Sequence, residues 1–298
     1  MINIKTALAL IQQNFPQLAI QTALPITRGW DSFVLEVNGK LIFRFPMRED
    51  VTAYLQKEVR LLPILEEALS TPIPHFSYFG HGDESYPFMF VGYRKLGGLA
   101  LDDEDFTSEQ LAVLAPTLAA FLNELHSFPV TWAIQNGVQE RTPVQWRERY
   151  QVLYTDLQLR VFPLLDKELR VKSENLWENF LQDEAIFAFK TVLIHCDLAC
   201  EHILCDPLHS TLTGVIDWGD ATIGDPALDF VGLQRGRGKE FTERVLKSYK
   251  GKVDAEFWKR VDFYLCYGPF SELLYGADSG NKKFITKGVE GLLEMFHV

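Results

Sequence analysis

Cysteine is scarce and poorly distributed for a disulfide framework. The chain has 298 residues and four cysteines, Cys196, Cys200, Cys205 and Cys266, three of them in one short segment. Small secreted domains instead spread an even set along the chain, so a reducing cytoplasm is the compartment implied. Long apolar runs are missing too. Nothing approaches the ~20 consecutive apolar residues of a membrane-spanning helix. Met1-Ile2-Asn3-Ile4-Lys5 begins neither the apolar core nor the small-residue cleavage site of a signal peptide. Positive charge is in deficit. The formal net charge is −11, which argues against nucleic acid as the main partner, because a phosphate backbone calls for a basic face. No repeat of 20–50 residues and no low-complexity tract is present, which excludes solenoids and propellers.

What is present is an ordinary globular balance, 47% hydrophobic and 23% charged, long enough for one large domain or two lobes. Residues 3–15 read as a helix. Two strand-like runs, 33–37 and 40–45, flank Asn38-Gly39, a strong hairpin turn. Helical spacing follows over 50–69 and stops at Ser70-Thr71-Pro72. Strands are expected at 75–81 and 88–93, and Gly97-Gly98 then breaks the pattern. Beyond it helix dominates, over 108–127, 144–170, 174–189, 239–249, 255–267 and 284–296. Short strands at 191–194, 202–205 and 211–216 form an island. The expectation is a two-lobed α+β protein. A β-rich N-terminal lobe spans 1–93, a hinge 94–98, and a helical C-terminal lobe 99–298, with the site in the cleft between lobes.

The island carries the chemistry. Ile194-His195-Cys196-Asp197 lies in a loop between two short apolar strands. Twenty residues on, Val215-Ile216-Asp217-Trp218-Gly219-Asp220 ends another strand in an acid. Two carboxylates at the ends of neighbouring strands can converge on one point. Phosphoryl transfer uses such a pair, one orienting the attacking hydroxyl and one holding magnesium. A single Asp in a turn is more often structural. The ordered combination with Gly224-Asp225-Pro226 weighs against that reading here.

These residues resemble the aminoglycoside phosphotransferase family, which has a protein-kinase-like fold, and most of all its 2″-phosphotransferase branch. The likeness rests on His195-Cys196-Asp197, His202-Ile203-Leu204, Gly214-Val215-Ile216-Asp217-Trp218-Gly219-Asp220-Ala221 and Gly224-Asp225-Pro226-Ala227-Leu228-Asp229-Phe230. It runs more loosely from Gly29-Trp30-Asp31-Ser32 to Ser271-Glu272-Leu273-Leu274-Tyr275-Gly276. The resemblance implies transfer of the γ-phosphoryl group of ATP or GTP, with Mg2+, to a hydroxyl of a small molecule, foremost an aminoglycoside or related amino sugar. Asp197 matches the catalytic-loop aspartate and Asp217 the metal-binding one, with Trp218 in place of Phe. His202 stands where most kinases have a metal-binding asparagine, and an imidazole is a softer ligand than an amide oxygen. His195 and Asp229 match residues that brace the loop. Ser32 belongs to the family's abbreviated phosphate loop. Arg44 occupies the lysine position, with Glu58 as its helix partner; arginine is longer, and its fork is not equivalent to an ammonium. Tyr93 opens the segment whose backbone would meet the purine. Asp220 matches an acid that holds the acceptor; Glu272, in a stretch that also resembles the branch, either serves the acceptor or caps a helix.

One stretch departs from the resembled branch. Where that branch is acidic, Gln234-Arg235-Gly236-Arg237-Gly238-Lys239 carries three cations. They face solvent, or they indicate another acceptor, such as a sugar, an amino alcohol or a phosphorylated metabolite. Arg44 and His202 also leave open a nucleotide-binding pseudoenzyme. His195, Cys196, Cys200, His202 and Cys205 could in type ligate zinc, but their spacing lacks Cys-x-x-Cys pairs, and Cys200 and Cys205 read as small buried hydrophobes.

Overall fold

The computed structural model describes residues 2–26, 31–103 and 106–297. Its first part is an antiparallel sheet of Ala23–Ile26 (β1), Ser32–Val37 (β2), Leu41–Pro46 (β3), Phe76–Gly80 (β4) and Phe90–Arg94 (β5), in the order β1-β2-β3-β5-β4. Asn38 and Gly39 close β2 onto β3 at φ of 56° and 64°, the left-handed pair whose twist matches the flanking strands.

Alternation along β3 decides what the sheet covers and what it offers. Phe43 and Phe45 pack with Leu10 and Ile11 of the helix Ile4–Asn14 (α1) and with Leu35 and Phe90. Each such ring, fully buried, contributes roughly 1.5–3 kcal/mol. Ile42 and Arg44 point to the opposite face, toward the helix Glu49–Glu66 (α2). The pleat therefore sends Arg44 toward the cleft because its neighbours are committed to the core.

The second part is mostly helical, with Ser108–Ser127 (α3), Val130–Gln135 (α4), Pro143–Arg160 (α5), Lys167–Gln182 (α6), Val231–Ser248 (α7), Phe257–Ser279 (α8) and Lys282–Phe296 (α9). Two small sheets lie among them. Leu99–Ala100 (β6), Ile203–Asp206 (β8) and Thr211–Val215 (β9) form one, and Val192–Ile194 (β7) pairs with Thr222–Gly224 (β10) in the other. The architecture is two-lobed, α+β and kinase-like. Among the described residues no helix is long and apolar enough to cross a membrane.

Several boundaries differ from those expected. The helix expected over 144–170 is two helices. Pro163 lies in a 3-10 turn after α5, and Asp166 caps α6 by accepting from the Leu169 amide at 2.9 Å, so the chain restarts instead of continuing. The helix expected from 239 begins at Val231 and bends at Gly238, whose φ of 80° only glycine adopts without cost. Burial of Val231 and Leu233 outweighs the weak propensity of the glycine-rich stretch. The helix expected to stop at 267 runs to Ser279 through Pro269. Gly288 and Gly291 of α9 let that helix lie directly on Pro269, where a Cβ would clash.

Candidate active site

The segment expected to carry the chemistry is set by two backbone kinks. After β7 the chain enters the left-handed region at Cys196, φ 72°, and after β9 it does so again at Asp217, φ 65°. Non-glycine residues hold such conformations only where surrounding contacts over-determine them, as at functional sites. Those contacts are present. Asp229, fully buried, accepts from the backbone amides of His195 (2.9 Å) and Cys196 (2.8 Å) with its two carboxylate oxygens, and His126 Nε2 lies 3.0 Å from it. His195, also fully buried, donates from Nε2 to the Ile216 carbonyl at 3.0 Å, tying the Asp197 loop to the Asp217 strand. Burial pushes the His195 imidazole down to about 4, so this brace is neutral. Trp218 is buried with its indole nitrogen donating to Val215 at 3.0 Å.

These braces bring Asp197 and Asp217 to either side of His202. His202 Nδ1 donates to the Asp197 carbonyl at 2.8 Å and lies 3.6 Å from its Oδ2; Nε2 lies 3.8 Å from Asp217 Oδ2. A carbonyl can only accept, so Nδ1 carries a proton, and Nε2 is the ring nitrogen turned toward Asp217. Burial, with Asp220 and Asp217 nearby, raises the Asp197 carboxyl above the usual range although His202 opposes it. At Asp217 burial pushes upward as well, but Arg44 and His202 outweigh it and hold the group below its usual value.

The N-terminal sheet closes the other side. Arg44 donates to Glu58 at 2.7 Å and to Asp217 at 3.2 Å. Burial works against its charge, and Glu58 and Asp217 outweigh that, so its pKa is raised. Glu58 is 1% exposed and is pushed upward by burial against the pull of Arg44. A cavity of about 410 Å³ lies between the lobes, lined by Val34, Ile42, Arg44, Tyr93, Leu204 and Ile216 among others. A second, of about 230 Å³, adjoins it; Ser32, Glu58, Asp197, His202, Asp217 and Asp220 line it.

Most residues expected at the site are thus gathered in one place. Ser32 is there at the start of β2, while Gly29 and Trp30 of the same loop lie outside the described residues. Tyr93 stands on β5, buried, in the larger cavity. Glu272 is set apart. It lies on α8, engaged by Lys287 of α9, and lines neither cavity. The Arg237 of the basic stretch is turned inward, donating to the Leu101 carbonyl at 2.6 Å and to that of Asp103. Residues not expected at the site adjoin it: Lys57 donates to the Ala221 carbonyl at 2.7 Å, and Arg141 to Thr222 Oγ1 at 3.2 Å.

Among the described residues no three of His, Cys, Asp and Glu are grouped to hold a metal unaided. Cys200 and Cys205 are buried, and burial pushes both thiols up to about 12, far from the thiolate a zinc ligand requires. Asp217 with His202 is instead a partial donor set. It fits magnesium, which ordinarily completes its sphere with phosphate and water oxygens.

Comparison with known proteins agrees with this geometry. The model of the phosphotransferase enzyme family matches residues 22–264. The GDP and kanamycin complex of aminoglycoside 2″-phosphotransferase IIIa is 33% identical, superposes with a TM-score of 0.91, and the match covers 98% of each chain. Viomycin phosphotransferase of Streptomyces vinaceus is 24% identical over 251 residues, 83% of this chain and 82% of that protein. The uncharacterised protein YcbJ of Bacillus subtilis is 26% identical over 231 residues, 75% of this chain and 72% of its own. The chain belongs to the phosphotransferase enzyme family and has the two-lobed fold of its aminoglycoside 2″-phosphotransferases.

Proposed function

We propose that this protein transfers the γ-phosphoryl group of a nucleoside triphosphate to a hydroxyl of a small molecule, with Asp197 orienting the attacking hydroxyl. The observation that carries this is the approach of Asp197 and Asp217 to the two ring nitrogens of His202, at 3.6 and 3.8 Å, beside a cavity between the lobes. A raised Asp197 pKa brings its carboxylate closer to the acidity at which a base accepts a proton usefully. Arg44, held by Glu58, would fork onto the phosphates. Tyr93 and residues 94–98, the hinge between the lobes, would line the base; the donor is ATP or GTP. Ser32 would cover the phosphates.

Asp217 and His202 would hold Mg2+, whose role is to neutralise charge on the phosphates. The chain's own contribution is positioning, which converts the encounter of two reactants into a step within one complex. The four free cysteines support a cytoplasmic location.

For the acceptor, the kanamycin complex and the viomycin enzyme support an amino-bearing antibiotic, with Asp220 receiving an ammonium group. Glu272 would have to release Lys287 before doing the same. A second reading, another small hydroxylated metabolite, is favoured by the cations Lys57 and Arg141 beside Asp220. The test is nucleotide turnover against a panel of aminoglycosides, sugars and sugar derivatives, for the wild type and Asp197→Ala. Phosphorylated product that depends on Asp197 is expected. Nucleotide binding without product across the panel would show a pseudoenzyme instead.

A further inference from the structure

A third cavity, of about 630 Å³, opens in the C-terminal lobe and shares no lining residue with either cavity of the candidate site. Its volume lies within the range of small-molecule sites, roughly 300–1,000 Å³. The walls come from the end of α3, the residues leading into β7, and the turn between α7 and α8. Phe128, Val130 and Phe189 give it apolar surface, and Lys190, Lys250 and Lys252 give it charge. The three lysines are exposed, and none has a carboxylate within ion-pair distance among the described residues. Lys95, Lys172, Lys259 and Lys287, by contrast, are each paired. One acid lines the cavity, Asp254, and Arg260 engages both of its oxygens, at 2.9 and 2.8 Å. In a chain whose net charge is −11, this cavity is a local excess of positive charge.

The turn that carries two of these lysines is held in place. Asn123 Oδ1 accepts from the Lys250 amide at 2.6 Å, and its Nδ2 donates to the Ser248 carbonyl at 3.2 Å. Gly251 crosses close over Tyr249, where a Cβ would lie 2.1 Å from the phenol oxygen. A backbone fixed in advance lowers the ordering cost of binding. The cavity also reaches the brace of the Asp197 loop. Tyr249 and His126 both line it. The Tyr249 hydroxyl lies 2.6 Å from His126 Nδ1, and His126 Nε2 lies 3.0 Å from Asp229 Oδ2, the oxygen that accepts from the His195 amide. All three side chains are buried. A contiguous chain of hydrogen bonds therefore runs from the cavity to the backbone beside Asp197, the kind of network that can carry coupling between two sites.

We propose that this cavity is a second binding site, for a small phosphate ester with an apolar body, whose occupancy bears on Asp229 through Tyr249 and His126. Lys190, Lys250 and Lys252 meet the phosphate, and Phe128 and Phe189 meet the body. Lysine ammonium groups bind phosphate as point charges through charge-assisted hydrogen bonds. The apolar walls add the affinity that comes from removing hydrocarbon from water. Nothing in the proposal depends on phosphoryl transfer, so it stands or falls apart from the phosphotransferase reading.

The test uses the full chain with its nucleotide site filled by a non-hydrolysable nucleotide and magnesium. Phenyl phosphate, benzyl alcohol and inorganic phosphate are titrated by calorimetry. Phenyl phosphate is expected to bind roughly tenfold more tightly than benzyl alcohol, the scale of one charge-assisted hydrogen bond, and more tightly than inorganic phosphate. The triple variant Lys190→Gln, Lys250→Gln, Lys252→Gln alters exposed positions only, and thermal melting checks that it folds. It should bring phenyl phosphate and benzyl alcohol to near equality. The His126 ring signals in NMR spectra should shift on adding phenyl phosphate to the wild type and stay in place in the triple variant. Tyr249→Phe should keep most of the affinity while shrinking that shift. The proposal is overturned if phenyl phosphate has no advantage over benzyl alcohol, if the advantage survives in the triple variant, or if binding leaves the His126 signals unmoved. An undiminished shift in Tyr249→Phe would overturn the route to Asp229. The phosphotransferase reading is judged separately, by whether an acceptor is phosphorylated.

Discussion

The guanidinium of Arg44 donates to the Glu58 carboxylate across 2.7 Å, and that carboxylate is almost wholly removed from water. Removing one member of such a pair costs more than the pair itself contributes, because the survivor's charge remains buried. Glu58→Ala is therefore expected to destabilise the protein by about 3 kcal/mol, a fall of roughly 6 °C or more in melting temperature for a chain of this size. Glu58→Gln, which keeps a hydrogen-bond acceptor, should cost less. Differential scanning calorimetry of both variants checks the order, and an equal loss in the two would contradict it.

Arg44 also reaches Asp217 at 3.2 Å, so one side chain spans both lobes. A lysine has one ammonium and a shorter reach, and it would satisfy Glu58 or Asp217 but not both. Arg44→Lys is expected to weaken nucleotide binding about tenfold, or ~1.4 kcal/mol, with a smaller change in kcat. Isothermal titration with a non-hydrolysable nucleotide measures this. Unchanged or tighter binding would mean that the site is not built around the guanidinium.

How much of this could be read beforehand follows from chain separation. The Asn38-Gly39 hairpin, the island of short strands and the Asp197–Asp217 pair were legible, because each depends on neighbours in sequence. The Arg44–Glu58 pair was legible through the resemblance, since only a helix partner in α2 was needed. The break at Pro163 and the run of α8 through Pro269 were not. In the first, a local cap at Asp166 competes with a continuous helical period; in the second, α9 packing overrides a local breaker. The cations Lys57 and Arg141 were invisible for a different reason. They are far apart in the chain and meet only when Asp220–Thr222 is folded against them. Conversely Glu272, singled out by motif, is drawn to Lys287 by the α8–α9 packing.

His202 gives a prediction about metal choice. Its Nδ1–H is spent on the Asp197 carbonyl, leaving Nε2 toward Asp217. An imidazole nitrogen favours first-row transition ions over magnesium more than an amide oxygen does. The wild type is expected to use Mn2+ or Co2+ relatively well. His202→Asn should shift the ratio of kcat/KM with Mn2+ to that with Mg2+ by several-fold toward Mg2+. Steady-state rates with each ion after chelation and reloading decide it, and a ratio that does not move would remove His202 from the metal's surroundings.

Asp229 holds the loop that carries Asp197 through two backbone amides. An asparagine there can accept with only one oxygen, and its NH2 group would face an amide hydrogen. Asp229→Asn is expected to lower kcat by one to two orders of magnitude, on the scale of misplacing a positioned group, with little change in nucleotide affinity. Equal losses in kcat and in nucleotide binding would point to general unfolding of the C-terminal lobe instead.

The neutral His195 makes stability depend on pH. Its folded pKa is about 4, below the ~6.5 of an unfolded histidine, because burial disfavours the imidazolium. Between those values the unfolded chain binds a proton that the folded chain refuses, so the unfolded state gains as pH falls. The contribution is fully present above about pH 6.5 and is lost progressively toward pH 4, amounting to roughly 2 kcal/mol by pH 5. Urea unfolding at pH 7.5 and 5.0 reads this loss together with the opposing contribution of buried carboxyls with raised values, such as Glu58 and Asp197, so His195's share is the difference between wild-type and variant slopes. His195→Gln retains a donor for the Ile216 carbonyl but cannot titrate. It should be less stable than the wild type at pH 7.5 through imperfect packing against Trp218, whose ring centroid lies 4.7 Å away, and it should show a shallower loss between the two pH values. An identical pH slope in the variant would assign the acid sensitivity to another group.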